Sequence, residues 1–141
     1  MAQKLFVNIS IKDLSQSRHF FALLGFEFNP KFSNDDGVCL ILGDNFYEML
    51  LKEEFFQTFT KKPFSNGKKS TEVILSLIID TIVDVNRMVV KAIELGAHEY
   101  IPPVDNGFML VRAFEDLDCH QWEVSWMDEN YNWDDLNKSL D

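Results

Sequence analysis

The strongest constraint on this chain is an internal repeat, in which one order of elements occurs twice, 67 residues apart (Asp13 to Asp80). In the first copy Leu5, Val7, Ile9 and Ile11 alternate with Phe6, Asn8 and Ser10. A period of two is the mark of a strand with two unlike faces. Asp13 then offers an N-cap, and Ser17, Phe20, Phe21 and Leu24 fall at i, i+3, i+4 and i+7, one face of a helix. Gly25 follows, the residue that ends helices at positive φ. Strands are predicted near 26–32, 38–42 and 46–51, separated by the turn-formers of 33–37 and 43–45. The second copy repeats the plan: a strand over 73–79, Asp80, a helix face of Val85, Met88, Val89 and Ala92, then Gly96. Strands near 98–101, 107–114 and 121–126 complete it. The repeat is one of pattern and not of residue identity. Two tandem βαβββ units predict an α+β fold.

The 141 residues fit a single domain, 1–141, with units at 3–52 and 72–127, a linker loop at 53–71 and an acidic tail at 128–141. That length buries a core without disulfide or metal. The linker carries Phe55, Phe56, Phe59 and Phe64 among Lys61, Lys62, Lys68 and Lys69. It reads either as a short helix near 53–59 that packs Phe onto the core before an exposed lysine loop, or as a lid over a pocket. In the tail, Trp133 and Leu136 are the candidate anchors. A net charge of -10 argues against nucleic acid or an anionic membrane as partner and fits a cytoplasmic protein. Cys39 and Cys119 form no CxxC and are too few for a disulfide scaffold. The opening residues hold no secretory apolar run, and no segment is apolar for long enough to span a bilayer.

Two stretches carry a resemblance. One runs from Val7-Asn8-Ile9-Ser10-Ile11-Lys12-Asp13-Leu14 into His19-Phe20-Phe21-Ala22-Leu23-Leu24-Gly25-Phe26; the other is Phe114-Glu115-Asp116-Leu117-Asp118-Cys119-His120-Gln121-Trp122-Glu123-Val124. Over residues 3–127 the chain resembles the vicinal oxygen chelate (VOC) superfamily: glyoxalase I, bleomycin resistance proteins and extradiol dioxygenases. It departs at Cys119, where that family usually has Gly, and at Leu117, where Pro is usual. The resemblance implies an open, cupped mixed sheet of eight strands with helices outside. It also implies up to four metal ligands in the cup, typically His, Glu, His and Glu. Carried over by position, these fall on Phe6, Glu48, Val73 and Glu123. Both carboxylates are thus expected to be kept, as catalytic groups, and both imidazoles lost; a one-residue slip would put Asn8 in place of Phe6. Phe and Val donate to no metal. No cofactor is therefore expected. A divalent metal (Zn, Ni, Mn or Fe), if used, would rest on Glu48 and Glu123. His19 reads as a surface residue, His98 as a strand-edge residue and His120 as a turn residue.

Alternation then fills the pocket. Trp122, Val124 and Trp126 are expected to face the helices, and Gln121, Glu123 and Ser125 the cup, with Phe6, Asn8 and Ser10. Phe108 and Arg112 share one face of their strand; Arg112 is expected either in the cup, neutralising a carboxylate, or exposed at the strand end. The expected ligand pocket is Phe6, Asn8, Ser10, Val73, Phe108, Arg112 and Gln121. Three functions follow: a metal-independent binder of a small organic ligand, like the bleomycin resistance branch, as a homodimer; a metal-dependent lyase or isomerase resembling lactoylglutathione lyase; or a non-enzymatic dimer whose cup is filled by its own side chains.

Overall fold

The computed structural model describes residues 1–132 and Asp134. The candidate anchors Trp133 and Leu136 lie outside the described residues. The first unit is β1 (Leu5–Ile11), α1 (Leu14–Leu23), β2 (Glu27–Asn29), β3 (Gly37–Gly43) and β4 (Phe46–Lys52). A short helix, α2 (Glu53–Phe56), and a 3-10 turn (Gln57–Phe59) open the linker. The second unit is β5 (Ile74–Ile78), α3 (Ile82–Glu94), β6 (Val104–Asp105), β7 (Met109–Glu115) and β8 (Gln121–Met127).

The helix ends follow local chemistry. Asp13 caps α1, its Oδ1 accepting from the Gln16 amide at 3.0 Å. Gly25 adopts φ +102° and Gly96 φ +106°, where a side chain would be strained. Thr81, one residue past the expected Asp80, caps α3 by accepting from the Asp84 amide. Two expected strands are shorter than predicted, the first because proline has no N–H to give a ladder. The strand expected over 26–32 ends at Asn29, and Pro30 starts a 3-10 turn. The strand expected at 98–101 is a single bridge from His98 to Glu115; after Pro102 and Pro103, pairing resumes at Val104.

The strands form two four-stranded mixed sheets, ordered β1-β4-β3-β2 and β5-β8-β7-β6, and not a closed barrel. In each, the first and last strands pair in parallel and the other pairs are antiparallel. β1 and β5 are edge strands. One face of each sheet joins a single core. Ile9, Val38, Leu40 and Leu50 meet Val85, Val89, Trp122 and Val124 there. Phe20 and Phe21 of α1 cross to the other unit, their rings 6.2 Å from Phe114 and 5.5 Å from Trp122. The units are thus welded through their helix-covered faces. The opposite faces, with Phe6, Asn8, Tyr47 and Met49 on one sheet and Ser76, Val111, Glu123 and Met127 on the other, stay open or half-covered.

Candidate functional site

The site grows from the turn between β7 and β8, the stretch that carries the family-like motif. Asp116 is its keystone. Its Oδ1 accepts the amides of Asp118 (2.9 Å) and His120 (3.0 Å), and its Oδ2 accepts the Trp122 indole N–H at 3.0 Å. These bonds pull the turn tight, and Cys119 is held at φ +64°. This explains why glycine is usual at that position: a Cβ in the left-handed region is strained by about 1–2 kcal/mol. Cysteine here accepts the strain and brings a thiol.

The turn is stitched to the other unit. His120 donates from Nε2 to the Ser10 carbonyl at 2.6 Å. Asp118 accepts from the Lys12 amide at 3.0 Å and from the Ser17 hydroxyl at 3.3 Å. The end of β1 and the start of β8 are thereby fixed side by side. Between them and the linker lies a cavity of about 350 Å³. Its floor includes Asn8, Ser10, Val73, Cys119, His120 and Gln121; its roof includes Phe56, Lys62, Pro63, Phe64, Ser65 and Gly67. A second hollow of about 200 Å³ adjoins it, sharing Ser10, Phe64, Ser65, Gly67 and His120 and adding Lys12 and Lys68. An apolar hollow with a few converging amide, hydroxyl and imidazole groups has the make-up of a small-molecule site. Burial pushes the Cys119 thiol pKa up, with Glu115 adding to the rise and Lys68 opposing it. The thiol form, a weak nucleophile, is favoured.

Four expected pocket residues come together here: Asn8, Ser10, Val73 and Gln121. The others do not. Phe6 shares the face of Asn8 but stacks on Tyr47 at 4.8 Å and meets Phe32 edge-on. Phe108 stacks on Tyr131, 3.9 Å between centroids. Arg112 is in neither expected place. It lies on the helix-covered face, donating to Asn86 of α3 at 3.0 Å and to Glu99 at 2.5 Å. Asn86 sits on α3 and Glu99 follows it, and Glu99 neutralises the charge from within the second unit.

Glu48 requires the largest correction. It was expected in the cup beside Glu123, but its register partners are Val7 and Leu40, and it points with them into the core. It is 0% exposed, and neither carboxyl oxygen has a hydrogen-bond partner among the described residues. Burial, and then the nearby Asp116, hold its pKa well above the ordinary carboxyl range. Glu123 does face the open side, where it accepts from the Ser76 hydroxyl at 3.2 Å. It also helps raise the Tyr100 phenol pKa, after burial. The two carboxylates thus lie on opposite sides of their sheets. Among the described residues no three His, Cys, Asp or Glu side chains converge as a metal would require. With Phe6 and Val73 at two of the ligand positions and Glu48 turned inward, the donor set does not fit the metal centre the resemblance implies.

The linker residues of the roof were not among the expected pocket residues. The only sequence signals were the length of the segment and its clustered Phe; Cys119 was visible as a departure from the motif.

Solved structures share this architecture. SA1046, a hypothetical protein of S. aureus, superposes with a TM-score of 0.76 at 26% identity, over 89% of this chain and 95% of that one. A glyoxalase/bleomycin resistance protein/dioxygenase family enzyme of Burkholderia phytofirmans PsJN gives 0.70 at 16% identity, over 86% and 96%. FosX, a genomically encoded fosfomycin resistance protein of Listeria monocytogenes, gives 0.65 at 13%, over 96% and 98%. No protein-family model matches the sequence, and no curated protein matches it either. The chain has the fold of the glyoxalase/bleomycin resistance protein/dioxygenase family, that of vicinal oxygen chelate proteins. No helix among the described residues is long and apolar enough to cross a membrane.

Proposed function

We propose that this protein binds a small organic molecule in the cavity between β1, the β7–β8 turn and the linker, without a metal. The observation that carries this reading is the convergence of Asn8, Ser10, His120 and Gln121 on one hollow with an aromatic roof. The solved structures of like fold include resistance proteins, whose names imply a small-molecule target. They support the class of ligand and not its identity.

A thermal-shift panel of aromatic, thiol and other small organic compounds tests it, run with and without Ni²⁺, Zn²⁺ or Mn²⁺. A compound at about 100 times its Kd adds about 2.7 kcal/mol of stability, a shift of several degrees. Asn8→Ala combined with Gln121→Ala is expected to remove that shift, and the metals to give none. Stabilisation by metal alone, or by no compound, would contradict the reading.

The same reading includes a homodimer. β5 is an edge of its sheet, and it shows water Ile74 (48% exposed) and Ile78 (60%). Such edges invite another strand. Sedimentation at micromolar concentration should give twice the chain mass, and Ile74→Lys with Ile78→Lys should return it to the monomer. A wild-type monomer under those conditions would end the dimer reading.

A further inference from the structure

From the packing and bonding of the linker we infer that residues 60–71 form a strap that lifts as a unit and controls entry to the cavity, with Gly67 as its seat. The strap is bonded only to the linker itself. Gln57 donates to the carbonyls of Thr60 and Lys62, Ser65 bonds Ser70, and the amides of Lys68, Lys69 and Ser70 all turn back to Asn66. Among the described residues, no hydrogen bond or ion pair joins 60–71 to either sheet or to the β7–β8 turn. What holds the strap down is packing. Phe64 meets Phe56 edge-on at 5.8 Å. At Gly67 the backbones touch: a Cβ built there would lie 2.6 Å from the Asp118 carbonyl oxygen and 3.1 Å from that of Cys119. On either side of this contact the two hollows leave the strap unsupported. A segment with internal bonds, a narrow packed seat and open space beneath it opens at low cost while the sheets stay folded.

The functional meaning of the strap rests on the cavity being the ligand site, but its opening can be measured without ligand, so the two ideas fail separately. The two thiols serve as probes in the full chain. Cys119 lines the cavity floor and Cys39 is fully buried in β3. Iodoacetamide should label Cys119 at least tenfold faster in Gly67→Ala than in the unmodified protein, with Cys39 unlabelled in both. Phe64→Ala, which removes roof packing without a clash, should also speed Cys119. Equal Cys119 rates in all three proteins would overturn the inference, as would wild-type labelling as fast as a free thiol. Hydrogen exchange of the unmodified chain needs no variant. Amides of 60–71 should show protection at least 100-fold below those of β4 and β8; matched protection would show that the strap opens only with the whole fold.

Discussion

Replacing Glu48 by Met is expected to stabilise the protein by about 1–3 kcal/mol near pH 4.5, the penalty of burying a polar group that makes no bond, and by more at neutral pH. For a chain of this size that is a rise in Tm of roughly 3–10 °C. The side chain it replaces is among the largest fully buried ones. Met fills nearly the same volume without a polar atom. The pH dependence gives a sharper test. The folded protein keeps Glu48 protonated to a higher pH than the unfolded chain does, because burial, and after it the Asp116 charge, disfavour the carboxylate. The unfolded chain therefore loses its proton first. The stability Glu48 lends is fully present below the ordinary carboxyl value of 4.5 and is lost as pH rises from there through the folded-state pKa. Within that window the loss approaches about 1.4 kcal/mol per pH unit. Urea melts from pH 4.5 upward should show this slope in the wild type and a shallower one in Glu48→Met, where the raised pKa of Asp116 still contributes; equal slopes in the two proteins would contradict a buried neutral acid.

The opposite result is expected at the neighbouring acid. Asp116 is also buried and its pKa is also raised by burial, but His120, the Trp122 indole and the backbone amides of His120 and Asp118 pull against that rise. Its carboxylate holds three donors. Asp116→Ala strands all of them, at about 1–3 kcal/mol for the buried Trp122 indole and about 1 kcal/mol for each of the two part-buried amides, so a total near 3–5 kcal/mol is expected. The damage extends past the turn, because His120 and Asp118 fasten the second unit to Ser10, Lys12 and Ser17 of the first. Asp116→Asn should fall between the two: its oxygen can still serve the two amides, but its NH₂ group cannot accept from Trp122. Chemical denaturation ranks the three proteins. Asp116→Ala within 1 kcal/mol of wild type would show that the turn holds itself.

The difference between these two acids explains how much of the molecule the sequence made readable. The repeat, the N-cap at Asp13, the glycine ends of both helices and the Asp116–Trp122 motif are local signals, and each produces the element it predicts. The cup position of Glu48 rests on the resemblance, carried over by position, and β4 reads Phe46-Tyr47-Glu48-Met49-Leu50-Leu51, without the alternation that would report its phase. The actual phase comes from the register with β1 and β3, including the shift between Ile41 and Gly43, which no local pattern reports. Arg112 failed for a similar reason: the groups that satisfy it, Asn86 and Glu99, lie 26 and 13 residues away in sequence. The strap was legible as a long Phe- and Lys-rich segment, but its seat on Asp118 and Cys119 is a contact between distant turns.

The central claim is that an organic molecule is held between β1 and the β7–β8 turn by this chain's own amide, hydroxyl and imidazole groups. Amide chemical shifts measured during titration with the compound that most raises Tm test it most directly. The largest changes should cluster at Asn8, Ser10, His120 and Gln121, and should persist in excess chelator. Changes centred on Ser76 and Glu123 instead, and abolished by chelator, would contradict the account.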